Sequence, residues 1–119
     1  MGIRLRMIMV ICAASAVIVS PAFAELSAEE AVLRYRAKDA MLNMYINGIG
    51  NGFSWANAEL INSTGRPLFC QPDGLVLTVD QEVDIVSRYI KRIPANGKFD
   101  LGGVMLAALR DAFPCPKPK

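Results

Sequence analysis

The chain is 119 residues long, with 13 Lys+Arg against 11 Asp+Glu and no histidine. That length suits one small domain. The near balance of charge excludes a strongly basic nucleic-acid binder, and the lack of histidine excludes catalysis by a histidine base and histidine-containing zinc sites.

The first segment reads as a processing signal. Arg4 and Arg6 precede an apolar run from Met7 to Ser20, and Ala22-Phe23-Ala24 has the small-residue cleavage pattern. At about 14 residues the run is shorter than the ~20 a spanning helix needs, and Pro21 follows it. Residues 1–24 are therefore expected to be a cleaved signal peptide, and the mature protein to be periplasmic and free of the membrane. Cleavage removes both arginines and leaves the mature charge balanced. It also removes Cys12, so that Cys70 and Cys115 remain, an even pair in an exported chain. We expect one disulfide between them, closing a loop of roughly 45 residues at a chain-entropy gain of ~4 kcal/mol.

In the mature chain, Ser27 with Glu30 three residues on predicts a capping box opening a short first helix. A second helix is predicted from about Lys38 to Ile61, with Tyr45, Ile49, Phe53, Ala56 and Leu60 as its apolar stripe. Gly48, Gly50 and Gly52 interrupt it. Gly48 and Gly52 share a face and predict close approach of another helix or a local break. No strand precedes this glycine run, so the dinucleotide-binding context is missing. A turn cluster, 62–67, leads to Leu68-Phe69-Cys70 and to the tight turn Gln71-Pro72-Asp73-Gly74. Leu75-Val76-Leu77 reads as an extended lead-in.

Thr78 and Gln81 predict a second capping box. Val79, Val83, Val86, Ile90 and Ile93 then make a buried stripe, with Asp84 and Arg88 as an i, i+4 pair. Pro94 ends this third helix and 95–99 reads as a loop. Asp100 should cap a fourth helix with Leu101, Met105, Ala108, Leu109, Ala112 and Phe113 on its apolar face. Pro116 to Lys119 reads as a disordered tail. The expected fold is all-α, a small bundle of four main helices over residues 25–115 clipped by one disulfide.

No catalytic set can be assembled. The carboxylate cluster Asp80, Glu82, Asp84 reads as a solvated helix start matched to the dipole. Metal ligands and cofactor motifs are missing, so no enzyme activity and no cofactor are expected. Trp55 lies off the stripe and is a candidate partner anchor. Asn96, Lys98 and Phe99 in the loop after the third helix are further candidate contacts.

Four motifs in order carry a family likeness: Tyr45-Ile46-x-Gly48, Phe69-Cys70-x-Pro72-x-Gly74, Val83-x-x-Val86-x-x-Tyr89-Ile90, and Ala107-Ala108-Leu109-x-x-Ala112-Phe113-Pro114-Cys115. Over about residues 41–115 the chain resembles the Rap/Tai-type immunity proteins of type VI secretion. The resemblance implies an exported, helical, disulfide-containing periplasmic protein without catalysis of its own. Its partner would be a secreted peptidoglycan amidase effector, whose cleft it blocks, in many members as a homodimer. Tyr45, Gly48, Pro72, Gly74, Phe113 and Pro114 are expected to serve the fold. A second reading is a periplasmic acid-stress chaperone, since small disulfide-bonded helical domains serve there too.

Overall fold

Each helix begins where a side-chain oxygen takes over a backbone N–H that has no partner within the helix. The computed structural model describes residues 25–117, so the expected signal peptide and the last two tail residues lie outside the described residues. Among the described residues the elements are α1 (Ala28–Arg36), α2 (Ala40–Thr64), α3 (Val79–Arg92), a 3-10 turn (Pro94–Lys98) and α4 (Leu101–Ala112). The all-α expectation is correct, and the expected loop after α3 is a 3-10 turn. Pro116 and Lys117 have no regular structure.

Ser27, Asp39, Thr78 and Asp100 are the four caps. The capping box of α3 is complete: Gln81 N donates to Thr78 Oγ1 at 3.3 Å and Thr78 N donates to Gln81 Oε1 at 2.9 Å. That of α1 is half made. Glu30 N donates to Ser27 Oγ at 3.3 Å, but the Glu30 carboxylate lies 3.7 Å from Arg34.

The second helix differs from expectation in both bounds and phase. Lys38 takes the left-handed conformation, φ 65°, which breaks the chain there and leaves Asp39 to cap. The helix runs unbroken through its three glycines and stops at Gly65, φ 67°. Its buried positions are Leu42, Ile46, Gly50 and Asn57, whereas Tyr45 and Ala56 of the expected stripe are exposed. The inward face is thus rotated from the one that apolar residues alone define.

The core is built chiefly from α1, α3 and α4, with Leu101, Met105 and Val86 the largest fully buried side chains. Phe69 enters it from the segment before α3. Backbone bonds from Ala28 N to Phe99 O (2.9 Å) and from Leu101 N to Leu26 O (2.8 Å) tie the start of α1 to the start of α4. At the other end Cys70 and Cys115 form a disulfide, and Cys70 N donates to Phe113 O at 2.8 Å beside it. The bridge therefore joins the segment entering α3 to the exit of α4, as the expected clip required. No helix among the described residues is long and apolar enough to cross a membrane.

Candidate partner-binding groove

The segment 68–77 lacks regular structure, and one asparagine fixes its path. Asn57 is buried on α2. Its Oδ1 accepts from Leu68 N at 2.6 Å and Phe69 N at 3.3 Å, and its Nδ2 donates to Phe69 O at 3.0 Å. This side chain supplies the partners that a sheet neighbour would otherwise give. Beyond Phe69 the chain turns. Leu75 N donates to Pro72 O at 3.1 Å, Gly74 takes φ 76°, and the Gln71 side-chain amide donates to the Leu75 carbonyl.

Held this way, residues 71–77 stand off from α2 and enclose a groove of about 570 Å³. Its walls carry exposed apolar groups: Trp55 (78% exposed), Ile61 (50%) and Val76 (83%). Two carboxylates, Glu82 and Asp73, line it, and among the described residues no lysine or arginine does.

Glu82 is the unusual member. It is 8% exposed, and its carboxylate rests against the backbone of Gly50, where any Cβ would overlap it. No hydrogen-bond donor among the described residues reaches it. Burial alone pushes its pKa up to about 7, because a low-dielectric site disfavours the charged form. Beneath it lies a void of about 10 Å³ whose remaining lining is apolar.

Glu82 therefore departs from the solvated acidic cluster that was expected. The other two carboxylates do stay outside, with partners. Asp80 accepts from Tyr35 Oη at 2.7 Å, which raises the tyrosine pKa, first through that hydrogen bond. Asp84 lies 4.0 Å from Arg36, and Arg36 takes the place of the expected Arg88 because α1 passes alongside α3. The close approach expected at Gly48 and Gly52 also occurs elsewhere. A Cβ at either would meet nothing within 4 Å, and the tight contact is at Gly50.

Of the residues singled out from sequence, Trp55, Pro72 and Gly74 line the groove. Asn96, Lys98 and Phe99 do not; Asn96 and Lys98 sit on the 3-10 turn, which packs on α1 and α3, and Phe99 caps its end. There Asn96 Nδ2 donates to Tyr89 Oη at 3.2 Å, Lys98 is exposed, and Phe99 is 61% exposed. Phe113 packs against the core. Tyr45 is 41% exposed, Pro114 is exposed and Gly48 has no close neighbour, so a packing role does not account for these three.

Asn57 is not singled out from sequence, and Gly50 and Glu82 are not placed on inward faces by it. Their signal was spacing: 46, 50, 53, 57 and 79, 82, 83, 86 each follow one helix face, but a glycine, an asparagine and a glutamate are not counted in an apolar stripe.

Among the described residues no three His, Cys, Asp or Glu side chains are grouped to hold a metal. The groove offers apolar anchors and acid, the makings of a recognition surface. Neither the curated proteins nor the solved structures contain a match to this chain. A family model, that of the Rap1a immunity proteins, does match, over residues 11–115. It spans the motifs around both cysteines and all four helices, and the chain belongs to the Rap1a immunity protein family.

Proposed function

We propose that this protein is exported to the periplasm through removal of residues 1–24 and there neutralises a peptidoglycan amidase effector of type VI secretion by occluding its cleft. Family membership over residues 11–115 is the observation that carries the reading, because an immunity protein acts through an effector partner. It also favours this reading over the acid-stress chaperone. Residues 25–115 form the binding domain, which works by stoichiometric contact and not by turnover. The groove beside Trp55 is its recognition surface, and Asn96, Lys98 and Phe99, at the 3-10 turn, form a second contact.

The test is protection. A Cys/His amidase effector is directed to the periplasm of a host with and without this protein. Survival only in its presence, with a complex of the two recovered from the periplasm, is the expected result. Equal lysis in both strains removes that amidase as the partner. Mass analysis of the exported product should find a chain beginning at Glu25.

A further inference from the structure

We propose that the groove between α2 and residues 71–77 receives a basic side chain from the partner protein, an arginine or lysine flanked by apolar residues, with Glu82 as its counter-ion. The inference rests on the reading of the chain as a binder of a protein effector and adds the chemistry of the segment bound.

Three observations converge. Glu82 is more than nine-tenths buried as a residue, lines the groove and has no hydrogen-bond donor among the described residues, while its carboxylate oxygens keep a little contact with the groove's solvent. A carboxylate so enclosed is poorly hydrated in the free protein, and a guanidinium or ammonium group entering the groove would supply donors as charge-assisted bonds. The groove's charge is one-sided, with Asp73 the other ionisable residue lining it. Its apolar part is large and exposed: Trp55, Ile61 and Val76 can take the flanking side chains, and the Trp55 face can take a cation. An anionic or wholly apolar occupant would leave Glu82 buried and unpaired.

The carboxyl titrates near neutrality in the free protein, so cation binding and proton release are linked. The elements packed around Glu82 bring Ala31 and Val32 from α1, Ile46 and Gly50 from α2, and Leu101 and Met105 from α4, none of them ionisable. Asp73 is the other ionisable residue lining the groove. The cation favours the charged form, so affinity is greatest above the free pKa and falls as pH drops below it.

The test uses the mature chain and two peptides, Ac-Leu-Arg-Leu-NH2 and its citrulline counterpart, which matches arginine in shape but carries no charge. Binding is followed by the NMR signals of the Trp55 indole, the Asn57 amide and the Glu82 carboxyl carbon. We expect the arginine peptide to bind at least ~10-fold more tightly, and to lose about 10-fold between pH 8 and pH 6 as Glu82 protonates. Glu82→Gln should abolish the difference between peptides. Equal binding of the two peptides to the unaltered protein overturns the proposal. So do shifts confined to the 3-10 turn, or groove signals that move with protein concentration in the absence of peptide, which would place a second copy there. Arginine selectivity in a protein that fails to protect against the amidase would leave the groove assignment standing and remove the amidase.

Discussion

At the scale of single residues, Glu82 contributes a pH dependence of its own to the free protein. Its pKa rises from 4.5 to about 7 on folding. The folded state therefore holds this proton more tightly, and the contribution of Glu82 to stability is greatest below pH 4.5 and declines until pH passes about 7. The shift corresponds to about 3 kcal/mol. Glu82→Gln should raise the thermal midpoint at pH 8 by several degrees and flatten the profile between pH 4.5 and 7, as read by circular dichroism. A profile unchanged by the substitution would mean that the carboxyl is well solvated. Asn57 works in the opposite sense. Asn57→Ala leaves two backbone N–H groups and one carbonyl at Leu68 and Phe69 without their partner, which should cost ~1–3 kcal/mol. Faster amide exchange at Leu68 and Phe69 would locate the damage.

At the scale of elements, α2 separates two meanings of glycine. Gly48 and Gly52 face open space, so alanine there should stabilise by roughly 0.5–1 kcal/mol through helix propensity alone. Gly50→Ala should destabilise, because its methyl meets the Glu82 carboxylate, and Glu82→Ala should relieve most of that loss in the double variant. Chemical denaturation of the parent protein, the alanine variants at Gly48, Gly50 and Gly52, Glu82→Ala and the double variant measures both effects. The same helix shows what was legible in the sequence. Caps at Ser27, Thr78 and Asp100 could be read because capping is local chemistry, as could the stripe of α3 through Val83 and Val86. The phase of α2 could not, because its inward positions include a residue chosen for smallness and another chosen for its hydrogen bonds. The groove was invisible for a related reason: its wall is an irregular segment whose path depends on Asn57, more than ten positions earlier in the chain. The 3-10 turn likewise takes its form from the elements it packs against.

At the scale of the whole molecule, the core is small and the Cys70–Cys115 bridge carries weight. Cys70→Ala should lower the thermal midpoint sharply and open the chain to protease, with a loss approaching the ~4 kcal/mol that loop closure implies. Non-reducing mass analysis of the mature protein should find no free thiol. The proposed amidase partner belongs to this scale as well, since occlusion needs a rigid surface and no chemistry. A binder of this size gains affinity when its surface is ordered before the encounter. Four capped helices around one core supply that order on the α2 side.

The wall of the groove has two moorings. Residues 71–77 leave the Cys70 bridge at one end and enter the Thr78 cap of α3 at the other. The first mooring exists only where thiols are oxidised. Reduction would slacken the wall that faces Trp55 in addition to the loss of stability expected of Cys70→Ala. A newly made chain, not yet oxidised, would therefore be a poor ligand, and under the proposed export recognition would mature only once the bridge had formed.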